Sequence, residues 1–319
     1  MRLDIRYRML FEYDSPVREA HNELRVRPRD LPEQRLLAHR LTSIPASRIL
    51  SYTDYWGTTI DHLGVVFQHE EFEIVAEAAV ETRTRQEPET CERALLADQA
   101  FRLANFELLR PSPHVSWNDE IADIAMDVVG STGDAVSAVQ ATVAATRELL
   151  TYERNSTSIG IELTELVAGG RGVCQDYAHL NIGLLRAAGI PARYVSGYLF
   201  AVDETDIDDE AHIASVQTHA WVEAGLPGDQ WMPVDPTNDQ PVGERHVVIG
   251  FGRDYDDVAP VRGVYAGEGV PSVAATVEMR RMEPVERTMS PRPRRPAKPI
   301  PYIAMSDPAR AQDQQQQQQ

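Results

Sequence analysis

The sequence predicts an α+β protein, and three observations carry that reading. Through the first 85 positions apolar residues alternate with charged ones, the period of half-buried strands. From about 92 to 188 the apolar spacing becomes helical. Beyond 190 strand-like runs return. At 319 residues and 42% hydrophobic content, the chain can bury a core and hold two domains. The expected organisation is a β-rich, sandwich-like N-terminal domain over 1–85, a mixed core over 92–282, and a tail over 283–319.

Each element has its own signal. Leu3, Ile5, Tyr7 and Met9 alternate with Arg2, Asp4, Arg6 and Arg8. Asp14-Ser15-Pro16 reads as a turn, and Glu23 to Arg27 resumes the alternation. Further strands are expected near 35–43, 47–55, 59–68 and 71–82, a spacing that suits a small sandwich. Leu95, Leu96, Ala100, Leu103 and Ala104 fit one helix face; Ile121, Ile124, Ala125 and Val128 fit another. A third helix is expected over 134–151 and a short one through Leu163–Leu166. After a helix that begins at Cys174, strands are expected at 192–202, 216–225, 230–235, 246–252 and 272–281. The tail holds Ser290-Pro-Arg-Pro-Arg-Arg-Pro-Ala-Lys-Pro and the terminal glutamines, a composition that predicts disorder.

Composition narrows the function. A net charge of −18 argues against nucleic acid or an anionic membrane as partner. Lys298 is the one lysine among 31 basic residues, so the folded part is lysine-free. Two cysteines, Cys91 and Cys174, lie in different segments and do not suggest a disulfide framework. The N-terminus lacks the apolar stretch of a signal peptide and no run approaches the length of a bilayer span. The expectation is a cytoplasmic protein.

Residues 171–195 organise the chain. Gly169-Gly170-Arg171-Gly172 delivers Cys174 to the first turn of a helix, and Gly189 and Pro191 end that helix. Free N–H groups and the helix dipole there favour a thiolate, which makes a nucleophile. A buried, inert cysteine is the alternative.

A cysteine nucleophile needs a base, and the base needs an orienting group. Thr218 to Asn238 reads as strand, Pro-Gly turn and strand. If the turn centres on Pro227, His219 faces Asp235; if it centres on Gly228, the pair is diagonal but still on one face. His219 and Asp235 are therefore candidates for base and orienter. His179 falls on another helix face and is expected to pack. His212 lies beside the acidic run 203–210, which lacks the spacing of a calcium loop and reads as solvated. No His-Glu-x-x-His or paired Cys-x-x-Cys occurs, so no metal or cofactor is expected.

Gly172-Val173-Cys174-Gln175-Asp176-Tyr177-Ala178-His179-Leu180, Thr218-His219-Ala220-Trp221-Val222-Glu223, and Trp231 with Val234-Asp235-Pro236-Thr237-Asn238 together resemble the transglutaminase-like superfamily. The resemblance is to its bacterial and archaeal branch, in which a β-rich N-terminal region precedes the core. Gly252 to Gly263 resembles a C-terminal signature of that branch, and the similarity spans roughly 1–282. It implies a papain-like transglutaminase core with helices packed on an antiparallel sheet. By motif position the catalytic residues would be Cys174, His219 and Asp235.

What the resemblance implies is thiol acyl transfer on a protein or peptide substrate. An amine acceptor gives transglutamination; water gives proteolysis or deamidation. A dedicated cysteine peptidase and a non-catalytic peptide-binding module are the alternatives. The Cys174 N–H is one candidate oxyanion donor, with Tyr152 and Trp117 as candidates for the second. Gln175 and Asp176 are expected to hold the helix start. Trp221 and Trp231 are expected to cover the pair, line the cleft or pack in the core. Oligomeric state has no signature in the sequence.

Overall fold

A computed structural model describes residues 1–86, 88–200, 213–216, 218–238 and 240–282. The acidic run 203–210, His212 and the tail 283–319 with Lys298 lie outside the described residues.

The first strands are β1 (Arg2–Val17), β2 (Glu19–Leu24), β3 (Gln34–Ile44), β4 (Leu50–Thr53), β5 (Thr59–Val65) and β6 (His69–Thr82). In β1 the alternation is realised: Leu3, Ile5, Tyr7 and Met9 are buried while Arg2, Arg6 and Arg8 are exposed. The turn expected at Asp14-Ser15-Pro16 is instead an irregularity within β1, whose register to β6 shifts between Glu12 and Val17. Pro16 has no N–H to give a ladder, so the strand bends there rather than ending.

The middle of the chain forms α1 (Gln99–Ala104), α2 (Asp119–Gly130), α3 (Ala135–Leu149), β7 (Thr151–Tyr152), α4 (Leu163–Gly169), β8 (Arg171–Gly172) and α5 (Cys174–Ala187). The single apolar face expected over 95–104 is broken. A 3-10 turn over Arg93–Ala97 stops at Asp98, whose carboxylate accepts from Phe101 N–H at 2.9 Å and starts α1 afresh. Leu96 is buried as a result, while Leu95 and Leu103 stay exposed. On α3 the core-facing side includes two threonines, Thr142 and Thr146. Their hydroxyls donate back to Val139 O and Thr142 O at 2.8 Å each, which makes them tolerable inside.

The remaining elements are β9 (Ala192–Leu199), β10 (Ile213–Val216), β11 (Thr218–Leu226), β12 (Gln230–Val234), β13 (His246–Gly252), α6 (Tyr255–Val258), β14 (Val261–Ala266) and β15 (Pro271–Arg281). They assemble with the first strands into a five-stranded sheet, β10-β15-β1-β6-β3, and two four-stranded sheets, β14-β2-β5-β4 and β12-β11-β9-β13. Among the described residues every strand pairing is antiparallel except the short β7–β8 ladder. Strands β14 and β15 come from the last third of the chain but pair with β2 and β1.

Two cores result. Residues of β1 and β6 such as Tyr7 and Phe72 pack with Leu24, Leu63 and Val65 of the second sheet, and Tyr198, Val247 and Ile249 of β9 and β13 join them. The other core gathers Leu180, Leu184 and Leu185 of α5 with Ile121, Val139, Ala220, Val222 and Ala224. The sheet that carries β11 is thus held by helices through one set of side chains and by the N-terminal strands through another. Arg186 fixes the end of α5. It is buried, donates from Nε and Nη2 to Ala192 O, and reaches Arg110 O, Ser112 Oγ and Arg253 O at 2.7–3.2 Å. Burial lowers its guanidinium to about 10, with Asp254 opposing. Among the described residues no helix is long and apolar enough to cross a membrane.

Candidate active site

Val173 is extended (φ −107°, ψ 177°) and α5 starts at Cys174, so the Cys174 N–H has no intrahelical partner. The start is fixed by Asp176, as its position three residues into the helix leads one to expect. Its Oδ2 accepts from Val173 N–H at 2.8 Å and from the Thr157 hydroxyl at 2.5 Å. Gly172 is needed next to it, because a Cβ there would come within 2.8 Å of Asp176 Cβ. The β7–β8 ladder sets Tyr152 beside Gly172, which brings the loop after Tyr152 next to the cysteine turn.

The hairpin settles on the wider of the two expected turns. Val222 pairs with Val234 and Leu226 with Gln230, so the turn centres on Gly228. Gly228 and Asp229 take the left-handed backbone this requires (φ +83° and +56°). Parity is kept, so His219 and Asp235, just past the end of β12, lie diagonally on one face. His219 Nε2 and Asp235 Oδ2 are 2.8 Å apart, and both residues are buried. Cys174 is close enough to His219 for its thiol to help raise the imidazole. With Nε2 facing Asp235, Nδ1 is the ring nitrogen left for sulfur. Cys174, His219 and Asp235 are brought together.

Asp235 is held by more groups than the sequence reveals. Oδ1 accepts from the N–H groups of Thr237 and Asn238 at 3.0 and 3.2 Å. Oδ2 accepts from His219, from Asn238 Nδ2 at 2.9 Å and faces His246 Nε2 at 3.3 Å. Burial alone would raise this carboxyl. The hydrogen bonds from His219, His246 and Asn238 and the attraction of His219 outweigh it, holding the group far below the carboxylate range. For His219, burial alone would lower the imidazole. The interactions with Asp235 and Cys174 prevail and raise it to about 10. For His246, burial prevails and the ring is held below the histidine range.

His246 is the residue that spacing misses. It lies eleven positions beyond Asp235 on a strand read only as part of the core. Asn238 belongs to the Asp-Pro-Thr-Asn block, but its amide carries no signal of its own. Trp221 is fully buried, stacked on His219 with ring centroids 5.9 Å apart and edge-on to His246 at 5.2 Å. It covers the pair. Trp231 instead lies under the Arg193 guanidinium, 3.9 Å from its ring centre. His179 packs as expected: it is buried, accepts from Tyr255 N–H at 3.2 Å, and burial drives it down to about 3. Tyr152 is half-exposed beside the turn, and Trp117 packs on the helical core. Cys91 and Cys174 are both free thiols, and burial raises that of Cys91.

His219, Asp235 and His246 bring ligand-type atoms within 4.8 Å of one another, as do His114, Asp254 and Asp256. In the first group Gly243 N–H donates to His246 Nδ1 at 3.2 Å. The ring proton is therefore on Nε2, facing Asp235, and that nitrogen offers no lone pair to an ion. In the second, both Asp254 oxygens accept backbone N–H groups, from Asp256 and His114, at 3.0 Å. That carboxylate caps α6 and ties down the chain at His114.

This geometry can be set beside known proteins. Residues 122–236 match the transglutaminase-like superfamily, and residues 3–81 match the bacterial transglutaminase-like N-terminal region. A Mycobacterium leprae protein, described as uncharacterized, is 32% identical over 274 residues, which is 85% of this chain and 96% of that one. A protein-glutamine gamma-glutamyltransferase of Pseudomonas aeruginosa is 41% identical over 66 residues, 21% of this chain and 10% of the relative. A solved structure from Cytophaga hutchinsonii, described as a candidate cysteine protease, superposes with TM-score 0.68 at 25% identity, over 87% of this chain and 90% of the other. The chain belongs to the transglutaminase-like superfamily and carries its bacterial N-terminal region.

Proposed function

We propose that the chain is a cysteine-dependent amide acyltransferase or hydrolase acting on protein or peptide substrates. The observation that carries this reading is His219, hydrogen-bonded to the buried Asp235 carboxylate at 2.8 Å and raised by the neighbouring Cys174 thiol at the start of α5. A binding module has no use for an imidazole so placed.

In this reading His219 already holds the thiol proton as an imidazolium that Asp235 stabilises, and the Cys174 thiolate attacks an amide carbonyl. The C–N bond breaks with the proton passing from His219 to the departing amine or ammonia, leaving a thioester on Cys174. An acceptor amine or water then gives its proton to His219 and attacks the thioester, and the thiolate leaves, restoring the starting thiolate–imidazolium pair. The Cys174 N–H is oriented to stabilise the oxyanion. Tyr152, beside Gly172 on β7, is a candidate for the second donor.

The choice of acceptor is a separate matter. The glutamyltransferase named above supports an amine, and the lysine-free sequence before Lys298 is compatible with that because the enzyme would not readily cross-link itself. The structural neighbour described as a candidate cysteine protease supports water, and with it a dedicated peptidase as the second reading. Incubating the protein with a peptide library, with and without a primary amine, separates them. Amine-capped glutamine side chains favour the transferase. Shortened peptides alone eliminate it, and no Cys174-dependent product at all leaves only a binding role.

A further inference from the structure

Asp235 Oδ2 faces two imidazoles, and only that of His219 is influenced by the Cys174 thiol. We propose that His246 is a positioning residue that holds the Asp235 carboxylate toward His219, and through which the N-terminal strands brace the site. This rests on the catalytic reading above and deepens it.

The tautomer makes the argument directional. Gly243 N–H donates into His246 Nδ1 at 3.2 Å, so Nε2 carries the proton and points at Asp235 Oδ2, 3.3 Å away. A neutral imidazole in this state donates a hydrogen bond without bringing a second positive charge next to the imidazolium of His219. The charged and titratable groups around it agree with that state. Asp235 faces it from the end of β12, His219 from β11 and Arg85 from the chain after β6; only Asp235 favours a charged ring, and burial opposes one. With His219, Asn238 and two backbone N–H groups, His246 completes five contacts on one buried carboxylate. Such a carboxylate cannot turn away from His219 without losing several of them at once.

His246 is itself held from the N-terminal side. It opens β13, and β13 is joined to the first residue of β3 by Gln34. That buried amide donates to Val248 O and accepts from Val248 N–H, both at 2.8 Å, in place of a missing strand partner. The Thr82 hydroxyl at the end of β6 donates to Glu244 O at 2.6 Å, which pins the loop carrying Gly243. The β-rich region thereby sets the tautomer and position of His246, and His246 sets Asp235.

Two substitutions in the full chain separate positioning from packing. His246→Gln can donate to Asp235 and accept from Gly243; His246→Phe fills the ring volume but can do neither. The readouts are the alkylation rate of Cys174 and the solvent exchange of the His219 Nε2–H proton by nitrogen-15 NMR. Positioning predicts that His246→Phe slows alkylation and speeds exchange by about tenfold each, the scale of one lost hydrogen bond to a charged group, and that His246→Gln restores most of both. The reverse order, with Phe preserved and Gln impaired, overturns the proposal, as does no change in either variant. If neither variant folds, the wild-type tautomer decides: a neutral Nε2–H ring at His246 upholds the assignment and an Nδ1–H ring overturns it. If wild-type Cys174 proves no more reactive than Cys91, the catalytic reading falls, while the exchange order still tests whether His246 holds Asp235.

Discussion

Gly197 stands directly opposite His219 across the β9–β11 ladder, and the space its side chain would take is filled. A Cβ there would lie 2.1 Å from Val247 O and 2.5 Å from the Trp221 ring, the same ring that stacks on His219. The glycine is what allows tryptophan to lie over the imidazole and β13 to approach β9 between paired strands. Gly197→Ala should cost about 3 kcal/mol of stability, the upper part of the overpacking range. Urea denaturation measures this, and a cost within experimental error would mean that both Trp221 and the Val247 carbonyl give way.

Asp235 and His219 should shape the stability of the fold against pH in opposite directions. The Asp235 carboxyl is depressed below its unfolded value of about 3.9, so its contribution is full above that pH and is lost as pH falls. His219 is raised to about 10, so its contribution is full below the unfolded value of about 6.5 and is lost progressively toward pH 10. The pair therefore contributes most between roughly pH 4 and 6.5. Urea midpoints across pH should show both slopes in the wild type, and Asp235→Asn combined with His219→Gln should remove them.

Arg186 holds the end of the cysteine helix to three other parts of the chain. Replacing it with Met keeps the length of the side chain but leaves the carbonyls of Ala192, Arg110 and Arg253 without its donors. Roughly 3 kcal/mol should be lost. Thermal unfolding tests this; an unchanged midpoint would mean that water replaces all the donors.

At the other end of that helix, Asp176→Ala removes the acceptor for Val173 N–H and for Thr157. The stability cost should be about 1 kcal/mol, the scale of a lost cap. Amide exchange at Val173 should speed up, and alkylation of Cys174 should slow even at temperatures where the variant is fully folded. Unchanged exchange would show that the helix start holds without Asp176.

Where local rules were in force, the sequence was readable. The alternation in β1 and the hairpin parity placed side chains on the right faces because a one-residue shift would expose an entire apolar set. The same parity left two turn centres open, and the left-handed Gly228–Asp229 turn chose between them. Long-range pairing was less legible. Nothing in Val261–Ala266 says that it will lie along β2, since edge strands with exposed side chains lack a buried alternation. The face expected over 95–104 failed because Asp98 offered the backbone a cap and began a new helix. His246 was invisible for a different reason: its role depends on which ring nitrogen carries the proton, and Gly243 decides that through a backbone N–H.

The most direct measurement is the alkylation of the two free thiols at neutral pH, followed residue by residue by mass spectrometry. Burial raises the Cys91 thiol, which makes it an internal standard for an unactivated cysteine. Activation by His219 predicts that Cys174 reacts about a hundredfold faster than Cys91 in the wild type, and that His219→Ala removes the difference. Equal rates for the two cysteines in the folded wild-type protein would contradict it.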